Sequence, residues 1–440
     1  MIVKHWTEAG RRNTNIFLYL LVFSGTAVRL VNALQKNPMD ALFSDPLRYW
    51  EYATDGLFSL PMAAVDPIGY QIWLGGVAKL TLGDPLAVGI YAGLLSAATP
   101  WIWYRFAREL LSNKQLALLV FAVLALLPSW IAIFSYFMNE TLLLPLLGAA
   151  LWLTWRALRL GTTSAMCLAV VVWMFACMTR IVALPAAIVS IVAMISAFPP
   201  RLFRGMAALA IALALAVPVA YRTYQIIRVP SPFGYSAFNQ IYWESGARSI
   251  DVHLSKDGGR YLVNYHFESP SMFEDVLSPL LHWHSRRSGT VEVWVDLDRG
   301  TADWNREMLR HWPALKDTIR LWSENLIFLG FGRSWPDSNP YVPIGRIQAG
   351  MRWIWVPLLI FVCCLNGIYL YRYRAMPLIV LITVGLWAVC LFAPSAVIEG
   401  RYRKPLEGLT IINAIWFFDK TRLFLPRKNL AEQNEPASPK

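Results

Sequence analysis

The sequence predicts an all-α polytopic membrane protein with about ten transmembrane helices and a mixed extracytoplasmic insertion. Composition is the first observation, because 56% of the 440 residues are apolar and only 15% are charged. Soluble domains have about a quarter of their residues charged. The second observation is that apolar residues cluster into windows of roughly 20 residues, the length of a helix that crosses a bilayer core of about 30 Å. The third is that Lys and Arg flank alternate loops, as the positive-inside rule requires of cytoplasmic loops.

The first apolar window, 16–33, follows Arg11 and Arg12 and is not followed by a small-residue cleavage site. It is therefore expected to be a permanent span rather than a signal peptide. The other windows are 86–104, 116–134, 140–158, 165–178, 181–197, 206–221, 353–371, 376–392 and 405–418. The positive-inside rule then places both termini in the cytoplasm. The absence of a signal peptide and the compact chain favour a bacterial inner (plasma) membrane, with the endoplasmic reticulum as the alternative. The basic residues that set this orientation are Arg105, Arg108, Lys114, Arg156, Arg159, Arg201, Arg204, Arg372, Arg374, Lys420, Arg422, Arg427 and Lys428.

These windows divide the chain into four parts. Residues 1–221 form an N-terminal transmembrane module whose first outer loop is 34–85. Residues 222–350 form an extracytoplasmic segment, in which 303–329 has the pattern of an amphipathic helix. Residues 351–420 hold the C-terminal transmembrane helices, and the polar tail 421–440 is predicted to be disordered.

The net charge of +12 lies largely in the short predicted cytoplasmic loops, where it meets anionic lipid headgroups. No concentrated basic patch indicates a nucleic-acid partner. All five cysteines fall in predicted spans, without the spacing of a metal site or a disulfide framework. No glycine-rich phosphate loop is present, so no nucleotide cofactor is expected. A requirement for a divalent metal stays open, although His282 and His284 lack a third ligand nearby in sequence.

The first outer loop contains an apolar stretch, 70–82, that is too short to span a membrane. Pro67 precedes this stretch and Gly83-Asp84-Pro85 ends it. The pattern predicts an interfacial helix, with Tyr70 and Trp73 at the depth of the headgroups.

Several charged residues lie at the predicted outer face, close to apolar windows. A charge at mid-membrane costs about 2.5–3.5 kcal/mol on insertion scales, so such residues usually face a cavity or a partner. Each of them could be an interfacial anchor or half of a structural ion pair. Together they could bind an anionic lipid headgroup and act on it. They are Asp45, Glu140, Arg180, Glu399, Arg401 and Arg403.

Short sequence elements that contain these charges follow one another along the chain. They are Ser44-Asp45-Pro46-Leu47-Arg48-Tyr49-Trp50-Glu51-Tyr52-Ala53, Asp66-Pro67-Ile68-Gly69-Tyr70 leading to Gly83-Asp84, Asn139-Glu140-Thr141, Thr179-Arg180, and Glu399-Gly400-Arg401-Tyr402-Arg403-Lys404-Pro405-Leu406-Glu407. Their order resembles that of the C-type (GT-C) membrane glycosyltransferases, especially relatives of protein O-mannosyltransferases and aminoarabinose transferases. The resemblance covers nearly the whole predicted membrane portion.

The resemblance implies a GT-C-like bundle and an enzyme of glycan biosynthesis in the cell envelope. Such an enzyme transfers a hexosyl or pentosyl unit from a polyprenyl-phosphate-linked donor to a glycan, lipid or protein acceptor on the extracytoplasmic side. It implies an inverting reaction with Asp45 as general base and Glu140 as a second base or an acceptor-positioning residue. Forked guanidinium donors suit a donor phosphate, which is the expected role of Arg180, Arg401 and Arg403. Supporting roles are expected for Tyr49, Glu51, Tyr70 and Glu399.

This sequence departs from the family pattern at Pro46, where many relatives have a second acidic residue. Glu51 is the nearest substitute, but it lies about one and a half helical turns from Asp45. Two other functions stay open. One is an O-antigen polymerase or ligase, whose important residues tend to lie in a late outer loop. The other is a polyprenyl-lipid flippase or secondary transporter, which usually shows internal repeats and broken helices at mid-membrane. The sugar, the acceptor and the oligomeric state do not follow from the sequence.

Overall fold

A computed structural model describes 2–54, 66–227, 230–233, 249–254, 260–266, 290–296, 376–392 and 400–421, together with much of 319–374. Its helices are α1 Ile2–Gln35, α2 Ser44–Thr54, α3 Ile68–Thr81, α4 Pro85–Leu110, α5 Lys114–Leu126, α6 Pro128–Ala132, α7 Asn139–Leu160, α8 Thr163–Thr179, α9 Leu184–Ala197, α10 Arg201–Ile227, α11 Pro343–Tyr373, α12 Leu378–Phe392 and α13 Lys404–Thr421. Short 3-10 helices are Pro38–Ala41, Ile133–Ser135, Ile181–Ala183 and Gly400–Arg403.

Several helices have the length and composition of membrane spans. Among the described residues, five helices are long and apolar enough to cross a bilayer, or six if one bent pair is a single span. Three further helices are apolar but shorter, at Thr163–Thr179, Ile181–Ala197 and Leu378–Phe392. Each window predicted from the sequence falls on a helix or on the bent pair. The count of ten spans stays a prediction.

The predicted span 116–134 is not one straight helix. α5 ends at Leu126, α6 begins at Pro128, and the two are bent by 55°. Proline has no N–H for the helix ladder and disfavours helical backbone at the residue before it. Leu127 accordingly has extended backbone, with φ −66° and ψ 112°.

Arg29 of α1 binds the carbonyl groups exposed at this break. Its Nε donates to the Ala125 oxygen at 2.8 Å and its Nη2 to the Leu124 oxygen at 2.6 Å. Its Nη1 donates to the carbonyls of Ser96 at 3.0 Å and of Trp130 at 3.1 Å. The Arg29 side chain is 1% exposed. The last carbonyls of α5 have no helical partner, so a guanidinium satisfies them and matches the negative end of the helix dipole.

The first outer loop contains the helix that its sequence predicts. α3 spans Ile68–Thr81, and Leu82 caps it with left-handed backbone at φ 52°. Asp84 then caps α4 by accepting from the Ala87 N–H at 2.7 Å. Tyr70, expected as an interfacial anchor, is instead 2% exposed and packs among protein side chains.

The long segment between α10 and α11 contains a three-stranded antiparallel sheet in the order β1-β2-β3. The strands are β1 Ser249–Leu254, β2 Arg260–His266 and β3 Thr290–Asp296. Ser249 pairs with His266 and Arg260 with Asp296, which fixes both registers. The His282 and His284 pair, residues 303–318 of the predicted amphipathic helix 303–329, and most of the tail 421–440 lie outside the described residues. The described residues of 319–329, Trp322 among them, are helical.

The two ends of the helical bundle differ in chemistry. One end gathers the end of α1 and the starts of α4, α7 and α13, and carries acids and arginines. At the other end Arg159 pairs with Glu109 at 2.6 Å. There the Ser112 N–H donates to Asp419 at 2.8 Å. The predicted cytoplasmic regions around Glu109, Arg159 and Asp419 therefore meet at one end of the protein.

Candidate functional site

Asp45 lies in the first turn of α2, at the end of the bundle where the acids gather. A carboxylate is favoured at a helix N-terminus, and Pro46 is tolerated in the first turn. Arg48 lies one turn later, and its Nη2 is 3.1 Å from Asp45 Oδ1. The same guanidinium places Nε 3.0 Å from Asp66 Oδ2. Arg48 is therefore shared by two carboxylates from different parts of the outer loop.

Arg401 approaches Asp45 from the other side. Its Nη1 donates to Asp45 Oδ2 at 2.8 Å, across 356 positions of sequence. The side chains are 12% exposed for Arg401 and 17% for Asp45. The pair thus joins the predicted first outer loop to the start of α13, and both side chains keep a small exposed fraction.

Tyr402 separates Arg401 from a second ion pair. The Arg180 guanidinium stacks 4.1 Å from the centre of the Tyr402 ring, and that of Arg401 lies 5.6 Å from it. Arg180 Nη1 pairs with Glu140 Oε1 at the start of α7. The Glu140 side chain is 1% exposed, and its Oε2 has no hydrogen-bond partner among the described residues.

These contacts form one continuous row, here called the Asp45 cluster. Along it the charges run Asp66, Arg48, Asp45, Arg401, then Arg180 and Glu140, with the ring of Tyr402 between the last two arginines. Three carboxylates face three guanidinium groups. An anion that enters must therefore compete with a carboxylate for its arginine.

Two buried tyrosines, Tyr49 and Tyr70, connect the helices that carry the cluster. Tyr49 and Tyr70 pack edge to face, with ring centres 5.3 Å apart. The Tyr49 hydroxyl accepts from Asn139 Nδ2 at 3.3 Å, and that of Tyr70 lies 3.5 Å from Thr141 Oγ1. Both contacts reach the first turn of α7, and so they fix Glu140 relative to α2 and α3.

Gly69 allows α3 to lie directly against the end of α8. A Cβ at this position would be 2.8 Å from the Met178 carbonyl carbon and from the Thr179 nitrogen. Backbone cannot yield at that distance, so only glycine fits. This close approach brings the outer loop next to Arg180, the residue that follows α8.

The two outer-loop carboxyl groups differ in acidity. Burial would raise the pKa of Asp45, but the neighbouring Arg48 and Arg401 outweigh it, and the pKa falls below the ordinary value. Burial raises the pKa of Asp66, and Arg48 offsets only part of that rise. Burial also raises the pKa of Tyr49, whose hydroxyl stays protonated at neutral pH.

Two of the residues expected at the site, Glu51 and Arg403, lie elsewhere, and a third is not described. Glu51 is exposed on α2 and does not join the cluster. Glu399 lies outside the described residues. Arg403 points into the protein, where its Nη1 donates to the carbonyls of Leu329 at 2.7 Å and Gly330 at 2.8 Å.

Arg403 belongs to a second group of charges, here called the Lys404 network. Its Nε lies 3.1 Å from Glu407 Oε1, and Glu407 Oε2 accepts from the Ser129 hydroxyl. Lys404 Nζ lies 2.6 Å from Asp337 Oδ2 and donates to the Ser129 carbonyl at 3.1 Å. The side chains of Lys404 and Asp337 are both 0% exposed. This network ties the end of the long segment to α6 and α13.

Sequence reasoning missed Arg48, Asp66 and Tyr402 as members of the site. Arg48 had a local signal, because residues three apart on a helix share a face. Asp66 and Tyr402 lie within the elements quoted for the family resemblance, but their contacts depend on tertiary structure.

The site has no evident metal centre. No group of three or more His, Cys, Asp or Glu side chains that could hold a metal occurs within the described ranges.

No protein-family model matches the chain, and no curated protein matches its sequence. The fold and the site therefore define its class only as far as a helical protein with several candidate membrane spans and an ion-pair cluster at one end.

Proposed function

We propose that the protein is an integral membrane glycosyltransferase that uses a polyprenyl-phosphate-linked sugar. It would cross the inner membrane with about ten spans, including the shorter apolar helices, and keep both termini in the cytoplasm. The Asp45 cluster would then face the extracytoplasmic side. There it would meet the donor lipid and a glycan, lipid or protein acceptor.

One observation carries the proposal. Asp45 is a partly exposed carboxylate between Arg48, one helical turn away, and Arg401, which is remote in sequence. It lies at one end of a bundle of apolar helices. A purely structural ion pair needs no opening to the outside. An enzyme that deprotonates an acceptor beside a phosphate needs a base and cations in this arrangement.

The proposed step forms one bond and breaks one. An acceptor O–H or N–H attacks the anomeric carbon, and the bond from that carbon to the phosphate oxygen breaks. Its electron pair stays on the phosphate, and the acceptor proton goes to Asp45. Direct displacement inverts the anomeric configuration. The leaving phosphate gains negative charge, so arginines beside it bind it more strongly in the transition state.

Burial divides the roles among the charged residues. Asp45 is the base because Glu140 is sealed inside the protein, 1% exposed. Glu140 instead positions Arg180, with Tyr49 and Tyr70 as supports. Arg401 and Arg180 flank the Tyr402 ring and form the phosphate site. Arg403, bound to Glu407 and to backbone carbonyls, has a structural role.

The test is a lipid analysis of cells that carry the wild-type gene, no gene, or the Asp45→Asn version. The donor lipid should accumulate without the gene and equally with Asp45→Asn, because the amide cannot take the acceptor proton. The amount and membrane insertion of the Asp45→Asn protein should match wild type. Glu51→Gln on the same helix is the matched control and should restore wild-type lipids.

A different lipid result would favour another function. Accumulation of the lipid on the cytoplasmic leaflet only would indicate a flippase. Accumulation of undecaprenyl-diphosphate-linked oligosaccharide would indicate a polymerase or ligase. Normal lipids in both the null and the Asp45→Asn strains would exclude the proposed transfer.

A further inference from the structure

Arg48 contacts Asp66 through two of its nitrogens and Asp45 through one. Asp66 engages two nitrogens of the guanidinium, with Oδ2 3.0 Å from Nε and Oδ1 3.4 Å from Nη2. Asp45 engages only Nη2, at 3.1 Å. Gln71 anchors Asp66 in turn, because its Nε2 donates to the Asp66 carbonyl at 3.2 Å. The Nη2 contact is a hydrogen bond, whereas the Nε contact is a close approach of opposite charges without hydrogen-bond geometry. Two contacts with one carboxylate draw the guanidinium toward Asp66.

The position of Arg48 matters because Asp45 already has another cation. Arg401 pairs with Asp45 at 2.8 Å, and Arg180 adds a positive charge from the end of α8. The Tyr49 hydroxyl is neutral at physiological pH. If Arg48 turned fully to Asp45, the carboxylate would be held by two complete guanidinium groups. Such a carboxylate is a poor proton acceptor.

We propose that Asp66 is a positioning residue for Asp45: it holds the Arg48 guanidinium partly away and so keeps Asp45 basic enough to accept the acceptor's proton. The inference rests on the proposed function for its purpose, but its physical content does not. It states that the two carboxylates are coupled through one shared arginine. That coupling can be measured without any sugar substrate.

The pH order of the two carboxyl groups gives the coupling a direction. Asp66, with the raised pKa, protonates first as the pH falls, whereas Asp45, with the lowered pKa, stays ionised. A protonated Asp66 loses its charge-assisted hold on Arg48. Arg48 then turns to Asp45, so Asp45 becomes a weaker base in the pH range where Asp66 titrates.

The experiment is an infrared titration of the full-length protein in lipid nanodiscs, with the aspartate carboxyl carbons labelled with ¹³C. Subtraction of the Asp45→Asn spectrum isolates the Asp45 band. In the wild-type protein this band should move while Asp66 titrates, before Asp45 itself takes a proton. A band that stays still throughout that range would overturn the proposal, and this measurement needs no variant at position 66.

A double-mutant cycle separates the shared arginine from simple repulsion between two carboxylates. Asp66→Asn should lower the titration midpoint of Asp45, and Asp66→Glu should leave it near the wild-type value. The shift of the Asp45 midpoint caused by Asp66→Asn should be smaller in an Arg48→Gln background, because no guanidinium can then move from position 66 toward Asp45. An equal shift in both backgrounds would show that the carboxylates interact directly and that Arg48 carries nothing.

Transfer assays on the same variants link the coupling to activity. If the wild-type protein transfers sugar, Asp66→Asn should lower the maximal rate and move the acidic limb of the pH profile to lower pH. A lower rate with an unmoved limb would indicate a merely structural role. If the wild-type protein shows no transfer but the infrared coupling is present, the proposed function fails and the coupling stands.

Discussion

Arg401 and Arg403 lie two residues apart in the 3-10 helix Gly400–Arg403, yet they enter different clusters. Arg401 reaches out to Asp45 in a pair that is 12% and 17% exposed. Arg403 reaches inward to Glu407, in a pair that is 3% and 0% exposed. Successive residues of a 3-10 helix are about 120° apart, so side chains at i and i+2 point in different directions.

The contrast shows how burial assigns a role to an ion pair. Charges sealed inside a protein lose their hydration and are tolerated only with complete pairing, so the Lys404 network has little freedom to exchange partners. Charges at an open edge keep part of their hydration and can exchange one partner for another. Only the Asp45 cluster can therefore bind a ligand at modest cost. Breaking the sealed network should harm the fold, whereas breaking the Asp45–Arg401 pair of the Asp45 cluster should harm mainly activity.

The largest effect is expected from Lys404→Ala. The substitution leaves the Asp337 carboxylate buried without its cation, which costs about 3–5 kcal/mol of stability. Thermal unfolding of the detergent-solubilised protein, followed by tryptophan fluorescence, measures the loss. The double variant Lys404→Met with Asp337→Leu removes both charges and should recover most of the stability. A single variant as stable as wild type would show that the pair is not sealed.

The matched variants Arg403→Gln and Arg401→Gln sharpen the comparison within one short helix. Arg403→Gln leaves the buried Glu407 without its paired guanidinium, with the Ser129 hydroxyl and the nearby Lys404 charge still in place, so it should lower stability by about 2–3 kcal/mol. Arg401→Gln should lower stability less, because Asp45 keeps Arg48 as a partner. It should instead reduce sugar transfer about 10²–10³-fold, as the loss of a group that stabilises developing charge does. Unfolding and transfer assays on both variants test this. A larger stability loss in Arg401→Gln, or a larger loss of transfer in Arg403→Gln, would contradict the assignment.

The smallest effect is expected from Glu51→Gln. Glu51 is exposed on α2, and substitutions at such surface positions usually change stability by less than about 0.5 kcal/mol. Transfer should also stay at the wild-type level. A clear loss of transfer with unchanged unfolding would show that Glu51 acts in the site. Glu51 would then replace the second acidic residue that many relatives have at the position of Pro46.

The sequence predicted the helices and part of the site for a physical reason. Apolar windows and charges near them are local features, so the placement of Asp45, Glu140, Arg180 and Arg401 already indicated a shared face. The structure does bring these four side chains into one row. Pro128 is the sequence feature that marks the break between α5 and α6. The uninterrupted apolar window 116–134 nevertheless predicted a single span.

The remainder of the site depends on packing, which no local pattern contains. Arg401 and Arg403 have the same chemistry and nearly the same position in sequence, so only the fold separates the exposed one from the buried one. Asp66 becomes a partner of Arg48 because α2 packs against the start of α3, and Gly69 separately lets α3 lie against the end of α8.

The binding of Arg29 across the α5–α6 break has a consequence for the order of biosynthesis. Its carbonyl partners at Leu124, Ala125 and Trp130 lie 95 to 101 residues further along the chain. A ribosome that adds about 5–20 residues per second delivers them some 5–20 seconds after Arg29. During that interval the Arg29 guanidinium lacks these partners inside an apolar candidate span, where a charge costs up to about 2.5–3.5 kcal/mol, the value for mid-membrane. A nascent chain truncated before Trp130 should therefore expose a recognisable defect to the membrane-insertion machinery and its proteases.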